Sequence, residues 1–454
     1  ADGIKQNWLK VLHNQFHDII PGSSIKEVYD LTALDYMQID KFCNALIDEK
    51  LQKIADNVKA ESGILVYNPS GFARRDTVCV GGKTYELKNE IAPFGFGIAE
   101  LDDKCKVSVN GLTAENQYYR LTLNKNGSIK ELYDKRAERQ VFKNGKAGNE
   151  ILVYEDLPHC FDNWEISSYY TDKVWNICDE AQITPIFDGS RAGFKVDIKY
   201  RNSTLTQKIW LNSSCERIDF ETKADWHEHH QLLKASMPFN VLSSTATFEI
   251  QYGHVNRNTH KNTSWDKAKF EVYGHKWVDV SDNGFGVALL NDCKYGHSIT
   301  GSDLQLTLLK CGTWPNPEAD QGEHIFTYSL LPHTDNLLNA RVINNAYELN
   351  QPLRAVEITS KGGNLPNSFS LAQIDKDNVI IENVKKAEND NSMIVRMYEA
   401  HNKKVTATVT VPNCFKTAHI CNLLEENEQP LEIVNGSVTL PISNFQIITL
   451  KFEM

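Results

Sequence analysis

The stretch Asn14-Gln15-Phe16-His17-Asp18-Ile19-Ile20-Pro21-Gly22-Ser23-Ser24 sets a polar His-Asp pair on an otherwise apolar path. A neutral imidazole at His17 suits zinc, and a carboxylate at Asp18 suits hydroxyls of a ligand held by that metal. The same residue types near a helix end also serve as a cap or a satisfied turn. A zinc site needs further donors, typically about three protein ligands and an open position, so His17 is incomplete alone.

Three other stretches carry groups able to do chemistry. Trp226-His227-Glu228-His229-His230 is the densest set of possible metal donors. In an extended chain His227 and His229 share one face while Glu228 and His230 point oppositely, so at most two ligands converge, and histidines packed along a sheet are the rival reading. Asp156, Asp162 and Glu165 surround Trp164 in Tyr154–Glu165. An aromatic platform among carboxylates matches the apolar faces and hydroxyls of a sugar; a loop with core aromatics and solvated acids is the alternative. Gln251–Asp266 holds His254, Arg257, His260, Trp265 and Asp266 in a polar stretch that reads as an irregular binding connection.

The elements that must position these groups change character along the chain. Ile4, Trp8, Val11, Leu12 and Gln15 recur at the helical period behind an Asp2 cap, and Pro21-Gly22 ends that helix. Ser24 with Glu27 reads as a capping box, and Ile25, Tyr29, Thr32, Tyr36, Ile39, Cys43 and Leu46 then alternate at steps of four and three. With no Gly or Pro up to Ser62, this predicts a helix of roughly 50 Å, whose apolar stripe needs partner helices. From Gly63 the period becomes two. Ile64–Tyr67, Tyr118–Leu123, the run Phe194, Val196, Ile198, Tyr200 and the run Val405, Ala407, Val409, Val411 read as strands with one buried face. Many such strands in series predict antiparallel β-sandwiches. Pro315–Gly322 reads as a surface loop and Asn345–Pro352 as a hinge before a last β domain.

Composition bounds the rest. At 454 residues the chain is long enough for several domains. Lys+Arg 48 against Asp+Glu 59 gives a net charge of −11 without a basic block, which argues against nucleic acid as partner. No long apolar run suggests a membrane span and Ala1–Lys10 shows no signal-peptide pattern. The 10 cysteines lack paired spacing and read as thiols of a reducing, cytoplasmic compartment.

Long runs tie these features together: Asn14–Ser24, Asp225–Lys234 (DWHEHHQLLK), Thr259–Asp266 (THKNTSWD), Gly284–Gly296 (GFGVALLNDCKYG) and Val384–Glu399 (VKKAENDNSMIVRMYE). Through them the chain resembles the C-terminal portion of class II α-mannosidases of glycoside hydrolase family thirty-eight, in the cytosolic, bacterial-type branch. The resemblance implies a retaining, zinc-dependent hydrolase of terminal α-mannosides with an N-terminal barrel, a three-helix bundle and C-terminal β-sandwiches. It assigns His17 as one of four zinc ligands and Asp18 to sugar hydroxyls, and it places nucleophile and acid/base in the barrel. No catalytic residue is therefore expected here, and a retaining pair of carboxyls about 5–5.5 Å apart would lie outside the chain.

The expected fold class is mainly β, with an N-terminal helical segment, part of a three-helix bundle, followed by antiparallel β-sandwich domains. The boundaries read as 1–62 helical, 63–104 a small β region, 105–345 a large galactose-mutarotase-like sandwich and 346–454 a C-terminal β domain. Asp18, Asp162, Trp164 and Arg257 are the candidate substrate contacts and His17 the metal ligand. The expected partners are a mannoside or oligosaccharide and a barrel absent from this chain, which would by itself be inactive; self-association stays open. A non-catalytic sugar-binding module and a ligand-free scaffold are the rivals.

Overall fold

The structure, a computed structural model, describes residues 2–359 and 362–454. Ala1, Ser360 and Lys361, at the start of the expected helical segment and within the expected C-terminal domain, lie outside the described residues.

Two antiparallel helices lead. Helix α1 spans Asp2–His13 and α2 spans Lys26–Ala55. Their contact rests on Gly3, where a Cβ would lie 2.7 Å from the Phe42 ring, and on Asn14, which accepts from the Thr32 hydroxyl at 2.9 Å. Gln15 falls beyond α1, and Asp2 lies within the first turn. The predicted capping box does not form. Ile25 is the N-cap of α2 without a side-chain bond, because the Ser24 amide instead donates to the Tyr29 hydroxyl at 2.8 Å. The helix also stops at Ala55 rather than near Ser62, so its length is about 45 Å.

The end of α2 is its buried part. Ala55 and Val58 pack with Leu65, Phe96 and Ile358 on a four-stranded sheet. That sheet orders Arg354–Ile358, Gly63–Asn68, Gly95–Ile98 and Ser368–Ser370, so segments nearly 300 positions apart share one layer. Toward the N-terminus the stripe is uncovered: Leu31, Leu34, Met37, Trp8 and Leu12 are exposed.

The central body is antiparallel β. A nine-stranded sheet runs Gln182–Asp188, Arg191–Tyr200, Ser203–Asn212, Ile218–Trp226, Gly322–His333, Gly286–Asn291, Trp277–Ser281, Thr245–Ile250 and Gly253–Asn258. A six-stranded sheet runs Val174–Asn176, Glu150–Glu155, Gln231–Pro238, Asp303–Lys310, Gly296–Thr300 and Val272–Tyr273. Their apolar residues, among them Phe194, Phe220, Trp226, Leu233 and Tyr328, form one core. The alternation at Phe194 and Val196 points inward as the period of two requires. Smaller sheets of five and three strands enclose a separate C-terminal core around Val395, Val409 and Leu450.

The expected hinge at Asn345–Pro352 is instead mostly helix. A helix over Val342–Asn350 buries Val342, Ile343, Ala346 and Tyr347 against Trp277, Leu290 and Tyr398. Its apolar residues at helical spacing dominate the polar asparagines that suggested a linker.

Candidate active-site face

His17 and Asp18 lie in the turn between α1 and α2. The turn is closed by amides of Ile19 and Ile20 donating to the Phe16 carbonyl at 2.9 and 3.1 Å, and by Gly22 at φ 84. Glycine adopts that left-handed conformation without steric cost. Tyr29 on α2 braces it, its hydroxyl lying 3.2 Å from the carbonyls of both Asp18 and Ile19. Burial, with help from Asp320 and Asp18, pushes the Tyr29 phenol up and keeps it a neutral donor.

The His17 side chain is 76% exposed, packs at a tilt against Phe16 with ring centroids 4.3 Å apart, and its Nε2 lies 3.3 Å from an Asp18 oxygen. The other Asp18 oxygen, Oδ1, is buried with no hydrogen-bond partner. An orphaned buried acceptor costs about 1–3 kcal/mol. The pair therefore fits a metal and hydroxyl site: an accessible imidazole beside a carboxylate oxygen awaiting a partner. Among the described residues no group of three or more His, Cys, Asp or Glu could hold a metal ion.

Beside this turn runs the stretch expected as a surface loop over Pro315–Gly322; it is a loop up to Gln321, Gly322 opening the next strand, and Asn316 and Ala319 within it are buried. Glu318 meets Lys26 of α2 at 3.6 Å. The preceding residues Thr313 and Trp314 form a cavity of about 380 Å³ with Leu157, Cys160, Phe161, Asp162 and His230.

Asp162 does not point a free carboxylate into that cavity. Its Oδ1 accepts from the Trp314 amide at 2.7 Å, and its Oδ2 from the Thr313 amide at 2.7 Å and hydroxyl at 3.1 Å. Burial works to raise this carboxyl, but those amides, the hydroxyl and His230 together hold it below the ordinary carboxylate range. Asp162 is thus a staple joining two loops. Gly312 permits the approach, since a Cβ there would lie 2.0 Å from Asn163 Oδ1. Asp156 is buried and ion-paired to Lys310, whose ammonium also donates to the Asp162 carbonyl. Burial raises the Asp156 carboxyl against that cation. Trp164 is 62% exposed and Glu165 is also at the surface, the pair remaining available to a ligand.

The histidine run departs from extended geometry. The strand ends at Trp226, His227 turns back to Asp225 at 2.8 Å, and the buried Glu228 accepts from the Asn202 amide and the Ser203 hydroxyl, both at 3.0 Å. His230 adopts φ 54 with its amide on the Cys311 carbonyl at 2.7 Å, which places its Nδ1 3.3 Å from Asp162. Alternation fails because the chain crosses between sheets here. Thr313 and Trp314 were not singled out in the sequence; His230 was noticed only as a possible metal donor within the histidine run, and nothing local ties Trp314 to Asp162.

Arg257 is not part of this face. Its guanidinium lies over the rings of Phe248 and Tyr273 at 4.6 and 4.9 Å. The stretch read as irregular is largely the edge strand Gly253–Asn258 followed by a short helix, Ser264–Ala268. His254 is packed against Trp277 and Phe445, and burial depresses it. Asp266 accepts from Asn258 at 2.9 Å and from the Thr263 hydroxyl at 2.7 Å, bracing Thr263 as the N-cap of that helix. Trp265 is 80% exposed.

Comparison with known proteins places this arrangement. The profile described as "Alpha mannosidase middle domain" matches residues 1–54, "Glycosyl hydrolases family 38 C-terminal domain" matches 114–318, and "Glycosyl hydrolases family 38 C-terminal beta sandwich domain" matches 378–450. The fold and its helical turn thus define the β-rich portion of a glycosyl hydrolase. Among curated relatives, "Alpha-mannosidase 2C1" of Homo sapiens is 32% identical over 99% of this chain and 45% of its own length. "Alpha-mannosidase G" of Dictyostelium discoideum is 30% identical over 100% of this chain and 48% of its own. The chain spans about half the length of these relatives. The crystal structure of an alpha-mannosidase from Enterococcus faecalis V583 shares the fold at TM-score 0.83 and 17% identity, covering 100% of this chain and 63% of that one. The chain belongs to glycosyl hydrolase family 38, of which it carries the C-terminal portion.

Proposed function

We propose that this chain supplies one wall of the active site of a retaining α-mannosidase that hydrolyses terminal α-mannosides in the cytoplasm. The observation that carries the reading is the Asp18 carboxylate, with one oxygen buried and unpartnered beside the exposed His17 imidazole. Asp18 would accept hydrogen bonds from sugar hydroxyls, and His17 would be one of the residues that hold a zinc ion. Zinc bound there would supply electrostatic stabilisation at the sugar hydroxyls. The attacking carboxylate and the acid/base are contributed by residues outside this chain, packed over the uncovered stripe of Trp8, Leu12, Leu31, Leu34 and Met37. The named activity of the curated relatives supports the substrate class, and 10 free thiols, most of them exposed, fit a reducing compartment. Trp164, beside the same loop system, is an aromatic platform for the sugar's apolar face.

The test is metal content and α-mannoside turnover of the whole enzyme, wild type against His17→Ala. Loss of stoichiometric zinc together with turnover, in a folded variant, is the expected result. A variant that keeps both refutes the assignment of His17. The 454-residue chain alone should not hydrolyse an activated aryl α-mannoside.

A further inference from the structure

Charged side chains from three separate parts of the chain meet in one cluster. Arg74 and Asp76 come from the small β region, Arg217 and Asp219 from the start of the strand Ile218–Trp226, and Glu348 from the helix Val342–Asn350. Arg74 lies 2.7 Å from Asp76, and Arg217 lies 3.7 Å from Asp76 and 3.3 Å from both Asp219 and Glu348. None of these side chains is more than 12% exposed. Three carboxyls facing two guanidiniums leave one negative charge over. An uncompensated charge in such surroundings is relieved by taking up a proton.

The hydrogen bonds select the carboxyl that takes it. Asp76 accepts from Arg74 and from the Thr77 amide, each at 2.7 Å. Asp219 accepts from the Ser329 hydroxyl at 2.6 Å and from Asn212 at 3.4 Å, besides Arg217. Among the described residues the Glu348 carboxylate accepts from Arg217 alone, at 3.3 Å. Burial and the Asp76 charge push Glu348 up to about 7 against Arg74, Arg217 and Arg341. Burial works to raise Asp76 too, but Arg217, Arg74 and the Thr77 amide hold it below the ordinary carboxylate range. Glu348 also borders a cavity of about 500 Å³, a route for its proton. The other groups there are committed or solvated. On the sandwich, Arg136 pairs with Asp134 and Glu216, His333 pairs with Asp279, and burial pushes the Cys215 thiol up. Arg75 donates to the Leu87 carbonyl, and Glu90 and Asp335 are exposed.

We propose that Glu348 is a proton-operated latch on the joint between the central sandwich and the C-terminal domain. Its helix is wedged between the two, packed on Trp277 and Leu290 of the sandwich and on Ile380 and Tyr398 of the C-terminal domain. Arg74 clasps the end of that helix by donating to the carbonyls of Glu348 and Gln351 at 3.3 and 2.6 Å. With the proton on Glu348, the cluster is balanced and the helix end is seated. With the proton gone, the surplus charge is relieved when the helix end releases its carboxylate to solvent, and the joint loosens. A seated Glu348 keeps its proton up to about 7, whereas a released one loses it near about 4, so opening expels a proton in between. The latch is therefore fully set below the lower value, weakens as pH rises through the interval, and is constant above it.

Hydrogen exchange at the Val342–Asn350 amides of the whole enzyme, expressed as protection factors so that the intrinsic pH dependence is removed, tests this. Wild-type protection should fall by up to about tenfold per pH unit between roughly pH 5 and pH 7, one proton per opening, and then level off. Glu348→Gln keeps the shape and is neutral throughout, so its protection should be flat and, at roughly pH 8, higher than that of wild type. Wild-type protection that stays flat over the interval overturns the proposal. So does a Gln variant less protected than wild type at roughly pH 8, the result that losing a plain ion pair with Arg217 would give. Should that variant not fold, Asp76→Asn decides in its place. Removing the neighbouring charge should move the wild-type step to lower pH, and a step that stays where it was refutes the latch.

Discussion

Replacing Asp162 with Asn should open the wall between the two loops. The carboxylate accepts the Trp314 amide on Oδ1 and the Thr313 amide on Oδ2, each at 2.7 Å, with the Thr313 hydroxyl at 3.1 Å. Asparagine keeps one acceptor oxygen and turns an NH₂ toward the other amide, so one buried N–H loses its partner at about 1–3 kcal/mol. The retained bond also loses its charge assistance, about 1 kcal/mol more. A total of roughly 3 kcal/mol is about two orders of magnitude in local opening. Hydrogen exchange at the Thr313 and Trp314 amides reads this directly, and protection there should drop by that factor while the nine-stranded sheet stays protected. Protection unchanged at both amides would refute the stapling role. The pH dependence has a defined sign. The folded carboxyl lies below the ordinary range, so its contribution is complete above the unfolded value near about 4 and is lost as pH falls through the folded one. Wild-type protection at these amides should hold from neutrality down to roughly pH 5 and fade below roughly pH 4, and the Asn variant should lack that step.

His17→Ala should change the stability of this chain by less than about 0.5 kcal/mol, as the side chain is 76% exposed and rests on Phe16 and Asp18; chemical denaturation followed at the helices checks it. Lys234 is wholly buried with Glu271, Tyr170 and Ser298 around its ammonium. Lys234→Ala strands the Glu271 carboxylate and should cost about 3–5 kcal/mol in denaturant unfolding, whereas Lys234→Met with Glu271→Gln should recover much of it. Thiol titration of freshly purified, denatured protein should count 10, with Cys311 and Cys421, both buried, reacting slowly before denaturation; a lower count would argue against a reducing compartment.

Local regularities were legible in the sequence because they repeat within a few residues. The period near 3.6 before Ala55 and the period of two after Gly63 mark the helices and strands, and Pro21-Gly22 marks the turn that carries His17 and Asp18. Motif runs added the family. Tertiary structure alone decided which distant groups meet. Asp162 was noticed as a candidate sugar contact, but its partner Thr313 lies 151 positions later, and no local signal predicts that a carboxylate will be spent on two amides. His230 was read by strand alternation, which fails where the chain leaves one sheet for another, and Arg257 was read as a loop residue although its strand pairs at a sheet edge. The hinge at Asn345–Pro352 became a helix because Trp277, Leu290 and Tyr398 offered its apolar side a place to be buried. Periodicity fixes which face of an element is apolar; the long-range register that brings faces together sets which polar groups remain free, and function lies with those that remain.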